Sequence, residues 1–172
     1  MTINAVGQRL GEVLDIVGKY VTFEEELAHS GKVVYTNVGV SMMPLLREGR
    51  DLMVIHKVDA EKLHKYDAVL YKRPNVKGRG TYVLHRILRI CPDGRFWIVG
   101  DNCTSGEMVS AENIIGVLTA VQRGNKTVLV NSFGMKLYVL LWCAPYPIRF
   151  FILRVRNLFM RGVRFIKRKV NK

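Results

Sequence analysis

Between Lys32 and Gln122 the sequence consists of short β-rich segments, and this pattern most limits the folds open to the chain. The segments are KVVYTNV, DLMVIHKV, DAVLYKR, TYVLHRILRI, RFWIVG and IIGVLTAV, and KTVLV adds one more. Glycine, proline, asparagine or charged clusters separate them, as turns separate strands. No segment between them is long and periodic enough for a crossover helix, so the strands should be mostly antiparallel. The sequence therefore predicts a mainly β domain over residues 32–131.

Helical patterns flank this domain on both sides. Residues Val6 to Ser30 carry apolar side chains at helical spacing. Thr22 followed by Glu25 fits a capping box, so a fresh helix should begin there and stop near Gly31. We therefore assign residues 1–31 to an N-terminal helical segment and residues 132–172 to an apolar and basic C-terminal extension.

The C-terminal extension ends in a predicted basic amphipathic helix. Its apolar run MKLYVLLWCAPYPIRFF falls short of the ~20 residues that span a bilayer. Beyond Pro147, at about 100° per residue, one stripe contains Ile148, Phe151, Ile152, Val155, Leu158, Phe159, Val163 and Ile166. The other face contains Arg149, Arg154, Arg156, Arg161, Arg164, Lys167 and Arg168, while Phe150 and Leu153 stray onto it.

This helix allows two main interpretations. It can lie in a membrane interface, where anionic lipid and apolar burial both favour it. Alternatively, its apolar stripe packs on the β domain and leaves the basic face in solvent. Nucleic-acid binding is disfavoured, because no aromatic-studded β platform or helix-turn-helix pattern accompanies the basic residues. We expect an anionic membrane surface as a partner.

Composition adds limits on compartment and chemistry. The net charge of +13 over 172 residues favours anionic partners. Cys91, Cys103 and Cys143 form no CxxC pair, so neither a disulfide framework nor a zinc site is indicated and a reducing compartment is expected. Charged residues interrupt the N-terminal stretch, which therefore lacks the apolar core of a secretory signal. We expect no metal and no cofactor, and a cytoplasmic location, peripheral at the cytoplasmic face of the membrane.

A serine in VGVSMMPLLREGRD raises the question of chemistry. An unpaired hydroxyl out of water costs roughly 1–3 kcal/mol, so Ser41 is either a cap or a reactive group. A serine nucleophile needs a base, and a third group commonly orients that base. The other three histidines, His29, His56 and His64, are explained as well by surface or packing positions as by function.

His85 is the candidate base. Strand alternation in TYVLHRILRI places Thr81, Val83, His85 and Ile87 on one face and Tyr82, Leu84, Arg86 and Leu88 on the other. Asp101 directly follows a strand and a glycine in FWIVGDNCTSGE, where loop carboxylates often meet a site. Ser41, His85 and Asp101 together match the nucleophile, base and orienter of a hydrolytic triad.

The ordered motifs resemble those of the signal peptidase I superfamily. GVSMMPLLREGRD resembles its Ser-Met-x-Pro box, YVLHRIL its general-base box, and VGDNCTSGE with IIGVL its Gly-Asp-Asn box. The resemblance covers roughly Val33 to Ala120 and implies a β catalytic core like that of signal peptidases and SOS-repressor-type peptidases. His85 stands where the endoplasmic-reticulum and archaeal-like branch has histidine and other branches have lysine. The resemblance implies that Ser41 is the nucleophile, His85 the general base and Asp101 the acidic partner.

Several positions depart from the family pattern. Glu107 is the acidic residue closest to the position of that branch's second aspartate, and Cys103 replaces the second asparagine of Gly-Asp-Asn-Asn. Gly39 stands where relatives often place a side chain that helps the oxyanion, so backbone donors would have to suffice. Met42 would be a wall of the substrate groove or core filler, and Pro44 would rigidify the turn.

Asp51 and Asp67 resemble the superfamily's Gly-Asp and Asp-Val-Val boxes and are interpreted as structural turn residues.

The resulting expectation is a signal-peptidase-like serine endopeptidase that cleaves a peptide or preprotein, without the transmembrane anchor that signal peptidases normally carry. Two alternatives remain open. A self-cleaving regulator would need the DNA-binding unit and lysine of the SOS-repressor branch. A non-catalytic membrane- or partner-binding module would keep the peptidase fold without its activity.

Overall fold

The computed structural model describes residues 22–73 and 81–170, without the side chains of residues 164–168 and 170. Within them the protein is mainly β, with helices before and after an eight-stranded antiparallel sheet. The strands are β1 Lys32–Thr36, β2 Asp51–His56, β3 Ala68–Arg73, β4 Thr81–Ile90, β5 Phe96–Val99, β6 Gly106–Val109, β7 Ile114–Arg123 and β8 Lys126–Leu129. Two 3₁₀ turns, Ala60–Lys62 and Ala111–Asn113, lie between strands.

The strand order is β1-β2-β7-β3-β4-β5-β6, and β8 pairs with β7. Every pairing is antiparallel. The predicted mainly β domain and its antiparallel strands are therefore confirmed. Residues 1–21 lie outside the described residues, so the helical pattern predicted from Val6 is not described there.

Strand β6 is absent from the predicted segments. Its sequence GEMV is short and begins with glycine, which gives no strand signal. The strand forms by pairing with β5, where Glu107 lies opposite Ile98. A Cβ on Gly106 would lie 2.5 Å from Val99 Cγ2 and 2.7 Å from Ile98 O, so glycine permits this close approach. The pairing fixes the position of Glu107.

Each face of the sheet carries a buried apolar core. One core contains Leu27, Met42, Leu45, Leu46, Met53, Ile55, Ala68, Leu70, Leu84, Leu118, Val121 and Met135. The other contains Leu63, Val69, Tyr71, Ile87, Phe96, Ile98, Val109 and Ile114. Successive residues of β3 alternate between the two cores, as strand geometry requires. The same alternation separates Leu84 from Ile87 on β4, which confirms the two faces predicted for that strand.

Helix α1, Phe23–Ser30, begins and ends as predicted. The Thr22 side chain accepts a hydrogen bond from the Glu25 N–H, and the Glu25 side chain accepts one from the Thr22 N–H. Gly31 ends the helix in the left-handed region, at φ 73°. Leu27 packs in the first core. Helix α1 therefore shares the core of the β domain.

The C-terminal extension consists of α2 Phe133–Tyr138, a π-helical turn Val139–Cys143 and α3 Tyr146–Val170. Met135, Cys143 and Leu153 are buried, and Met135 belongs to the first core. The extension therefore packs against the β domain through these residues. Within the described residues, no single helix meets the length and hydropathy expected of a membrane span; Phe133–Cys143 and Tyr146–Val163 meet it jointly but are bent by 69°.

Helix α3 contacts the domain through residues that the sequence places on its basic face. Arg149 and Leu153 are each 1% exposed, and Arg156 Nη1 donates a hydrogen bond to Asn102 Oδ1 at 2.9 Å. Six residues of the predicted apolar stripe are instead exposed: Ile148, Phe151, Ile152, Val155, Leu158 and Phe159. The placement of Arg149 on a solvated face is therefore wrong, as is the interpretation that packs this stripe on the sheet. The loop carrying Asp101 offers the buried carboxylate that lies beside Arg149.

Candidate active site

Ser41 lies in the turn between β1 and β2, and buried neighbours fix its position. Met42 is 0% exposed and its carbonyl accepts a hydrogen bond from the Leu46 N–H at 3.0 Å. The Met43 N–H donates to Val40 O at 3.2 Å. Ser41 itself is half-buried. Among the described residues its N–H has no hydrogen-bond partner, so this donor is free to bind a developing oxyanion.

The loop between β5 and β6 is tied to the serine turn. The Asn102 N–H donates to Ser41 O at 2.8 Å, and Asn102 Nδ2 donates to Val40 O at 3.0 Å. The Cys103 N–H closes the loop by donating to Gly100 O at 2.9 Å. Two segments that are far apart in the sequence are thereby held side by side.

His85 meets the serine turn at Gly100. A Cβ on Gly100 would lie 2.8 Å from Ser41 O, 2.9 Å from His85 Nε2 and 2.7 Å from Cys103 Sγ. The absent side chain lets the imidazole approach the backbone of the serine turn. Ser41 Oγ makes no hydrogen bond to His85 in the described structure, and such contacts often tighten only when substrate binds.

Burial keeps the His85 imidazole neutral. Its side chain is 10% exposed, and this burial lowers its pKa below the ordinary value of 6.5. Glu107 and Asp101 act in the opposite direction, and Arg73 adds to the lowering. A neutral imidazole at neutral pH can accept a proton, as a general base must.

The other ring nitrogen of His85 faces a polar network. Its Nδ1 lies 3.3 Å from the Tyr71 hydroxyl and 4.0 Å from Glu107 Oε1. Tyr71 donates a hydrogen bond to Glu107, and Arg73 donates to both oxygens of the same carboxylate. Burial raises the pKa of Glu107, but the bonds from Arg73 and Tyr71 outweigh it and hold the pKa below its ordinary value. Glu107 is therefore anionic.

Sequence reasoning did not select Tyr71 or Arg73. A signal existed in the strand pairing, because Val69 lies opposite His85 and Tyr71 is two residues further along β3. Diagonal neighbours of this kind are within reach of an aromatic side chain. The pairing register of β3 and β4 cannot be read from either strand alone.

Asp101 does not contact His85 as predicted. Its carboxylate accepts hydrogen bonds from Arg86 Nε at 2.8 Å and Nη2 at 2.7 Å, and from the Tyr138 hydroxyl at 2.9 Å. Adjacent residues of a strand point to opposite faces, and Asp101 lies on the Arg86 side of β4. The assignment of Asp101 as the direct orienter of the base is thus corrected. Its role is to anchor the loop that holds Asn102.

The predicted substrate and oxyanion residues divide into different roles. Met42 is in the first core, which favours core filler over a groove wall. The Gly39 N–H donates to Glu48 Oε2 at 3.1 Å and is therefore occupied, whereas the Ser41 N–H has no hydrogen-bond partner among the described residues. Pro44 is exposed in the serine turn, where it can line a groove.

The two structural aspartates behave as expected. Asp51 is buried and accepts hydrogen bonds from the Arg47 N–H and the Arg50 guanidinium. Asp67 accepts from the His64 N–H at 2.8 Å. Both bonds close turns next to strands, which is the role that the sequence predicts for them.

Other candidate sites offer less. A cavity of about 320 Å³ is lined by Tyr66, Arg86 and Tyr138 among others, but by neither Ser41 nor His85. Within residues 22–73 and 81–170, no cluster of histidine, cysteine or acidic side chains could hold a metal ion.

The chain matches no family model, no curated protein and no solved structure. The resemblance to signal peptidases therefore rests on the three motifs.

Proposed function

We propose that this chain is a serine endopeptidase in which Ser41 is the nucleophile and His85 the general base. The observation that carries the proposal is the approach of a neutral, buried imidazole to the nucleophile turn across Gly100. The motifs that resemble the signal peptidase I superfamily supply the same assignment independently. In this proposal Asp101 holds the loop of the site in place and does not contact the base, whereas the aspartate of the usual triad does.

The proposed reaction follows from these positions. Ser41 Oγ attacks the scissile carbonyl while His85 Nε2 accepts its proton. The tetrahedral oxyanion is bound by the Ser41 N–H. His85 then donates this proton to the amine as the C–N bond breaks, which leaves an acyl-enzyme on Ser41. Water attacks the acyl carbon while His85 accepts its proton, and His85 passes that proton to Ser41 Oγ as the ester bond breaks. The substrate class is a peptide or the leader of a preprotein.

Peptide cleavage tests this function directly. Full-length protein with anionic liposomes is incubated with a diverse peptide pool, and mass spectrometry identifies the new termini. Cuts made by the wild type and absent from the Ser41→Ala protein support the peptidase, and their flanking residues define its preference. If both proteins leave the same fragments, the peptidase proposal fails and a non-catalytic binding module is favoured. Cleavage of the chain itself, lost in Ser41→Ala, would instead indicate a self-cleaving regulator.

The proposal includes an anionic membrane as the working surface. The exposed side of α3 carries large apolar residues, with Phe151 68%, Leu158 71% and Phe159 70% exposed. Exposed arginines, including Arg154 and Arg161, lie on the same helix, and no acidic residue occurs in it. Apolar burial together with basic side chains is the pattern of helices that lie in lipid interfaces.

We expect Phe151→Ser with Phe159→Ser to lower the partition of the full-length protein onto anionic vesicles at least about ten-fold. Each exposed phenylalanine loses roughly 1.5–3 kcal/mol of apolar transfer when truncated. Flotation with phosphatidylglycerol vesicles measures the change, and neutral phosphatidylcholine vesicles test the charge requirement. Shortening the chain would remove buried Met135 and Leu153 and disturb the core, so substitutions are preferable.

The matched control is Ile90→Ser with Leu129→Ser, which removes exposed apolar side chains from strands. It should float like the wild type. Equal flotation of the α3 variant and the wild type would remove the membrane from the proposal. Binding that is independent of vesicle charge would remove the electrostatic part.

A further inference from the structure

The Tyr71 hydroxyl has one proton and three polar neighbours. The Arg73 guanidinium can only donate, the anionic carboxylate of Glu107 can only accept, and the third neighbour is His85 Nδ1. Burial and Glu107 raise the pKa of Tyr71 well above its ordinary value of 10.0, so the phenol keeps its proton. The Tyr71 hydroxyl therefore donates this proton in its hydrogen bond to Glu107.

The hydrogen bond from Tyr71 to Glu107 determines the tautomer of His85. With its proton donated to Glu107, the Tyr71 oxygen can offer only lone pairs to the imidazole. A favourable contact at 3.3 Å therefore requires His85 Nδ1 to carry the hydrogen. In a neutral imidazole the other nitrogen, Nε2, then bears the lone pair. Nε2 is the nitrogen that meets the nucleophile turn beside Gly100.

Glu107 is too distant to orient the base by itself. Its Oε1 lies 4.0 Å from His85 Nδ1, beyond hydrogen-bond range. Tyr71 bridges the gap, and Arg73 donates hydrogen bonds to both oxygens of the carboxylate. The arrangement is a chain from Arg73 through Glu107 and Tyr71 to His85.

We propose that Tyr71 and Glu107 are positioning residues that hold His85 in the Nδ1–H tautomer, leaving Nε2 ready to accept the Ser41 proton. This relay takes the part that an aspartate plays in the common serine triad. The inference rests on the proposed function for its catalytic consequence. The tautomer itself can be measured without any substrate.

Nitrogen-15 NMR of the full-length protein labelled at histidine tests the tautomer above the His85 pKa. The wild type should show Nδ1 protonated and Nε2 bare. In Tyr71→Phe the acceptor is lost, so the two tautomers should mix. In Glu107→Leu the freed Tyr71 proton can turn toward Nδ1, so the population should invert to Nε2–H. A wild type in the Nε2–H form would overturn the relay.

Kinetics supply the second measurement, on a peptide found in the cleavage experiment. Tyr71→Phe should lower kcat at least about ten-fold with little change in KM, and Glu107→Leu should lower it further, because a wrong tautomer is costly. Adding Tyr71→Phe to Glu107→Leu should raise kcat back to the Tyr71→Phe level, since it removes the wrongly placed donor. A double variant that is worse than both single variants would overturn the relay.

The matched control is Tyr82→Phe. Tyr82 also donates a hydrogen bond to a glutamate, Glu24. The other carboxylate oxygen of Glu24 accepts a hydrogen bond from Lys72. That network lies on the other face of the sheet from His85. The control should keep both the tautomer and kcat. Equal effects of Tyr82→Phe and Tyr71→Phe would show a general packing effect and contradict the relay.

These outcomes separate the relay from the peptidase proposal. A correct tautomer pattern in a protein that cuts no peptide would leave the relay intact and remove the activity. Cleavage that depends on Ser41 and His85 but not on Tyr71 or Glu107 would support the peptidase activity and overturn the relay.

Discussion

Alanine at Ser41 and alanine at His85 are each expected to lower kcat/KM for peptide cleavage by at least about 10³-fold. Ser41→Ala removes the atom that forms the acyl-enzyme. His85→Ala leaves the hydroxyl without a base, because Tyr71 and Glu107 lie beyond the imidazole and not beside Ser41. Both proteins should still fold, since neither residue contributes to the two apolar cores. Steady-state cleavage and thermal unfolding of the same preparations measure the two properties.

The double variant provides a stricter test of the pair. Groups that act as one catalytic unit are strongly non-additive, so the Ser41→Ala, His85→Ala protein should be no less active than the worse single variant. His56→Ala is the matched control, because His56 is exposed and its Nδ1 contacts the Thr119 hydroxyl at 2.7 Å, away from the site. Additive losses, or a comparable loss in His56→Ala, would contradict the assignment.

The sheet could be predicted from the sequence because alternation, turn residues and caps are local signals. Thr22, Glu25 and Gly31 define α1 by hydrogen bonds within a few residues. The two faces of β4 follow from strand alternation alone. Strand β6 escaped prediction because its pairing with β5, and not its own composition, makes it a strand.

The site was predicted less completely, because its contacts depend on register and on packing between distant segments. The sequence indicated Ser41, His85 and Asp101, but not which face of β4 Asp101 would approach. Tyr71 joins the site through the β3–β4 register. The amphipathic pattern correctly predicted a helix beyond Pro147. The pattern could not show that Arg149 and Leu153 would be buried against the domain, or that six residues of the apolar stripe would be exposed.

Asp101 connects the nucleophile turn to the C-terminal extension. Its backbone carbonyl accepts a hydrogen bond from Trp142 Nε1 at 3.1 Å, while its side chain binds Arg86 and Tyr138. The next residue, Asn102, contacts the Ser41 turn on one side and Arg156 of α3 on the other. The helix proposed to meet lipid is therefore two hydrogen bonds away from the nucleophile turn. Loss of this anchor should affect the fold first and the chemistry through it.

The charge balance around Asp101 is unusual. Asp101 is 0% exposed and faces two buried cations, because Arg149 Nη1 lies 3.7 Å from Asp101 Oδ1 in addition to the Arg86 pair. Among the described residues the three guanidinium nitrogens of Arg149 have no hydrogen-bond partner. Its stabilisation by the protein therefore depends on the nearby negative charge of Asp101.

We expect Asp101→Asn to lower the free energy of unfolding by about 3–5 kcal/mol, because it leaves buried cations without a counter-charge. Asp93→Asn is the matched control: Asp93 pairs with Arg95 on the surface, so its unfolding midpoint should match the wild type. Adding Arg149→Met to Asp101→Asn should recover part of the loss, since it removes an unpaired buried cation at similar volume. Urea unfolding followed by tryptophan fluorescence measures all three variants, with Trp142 reporting at the site. Unchanged stability in Asp101→Asn, or a further loss with Arg149→Met, would show that the cluster is not held by this charge.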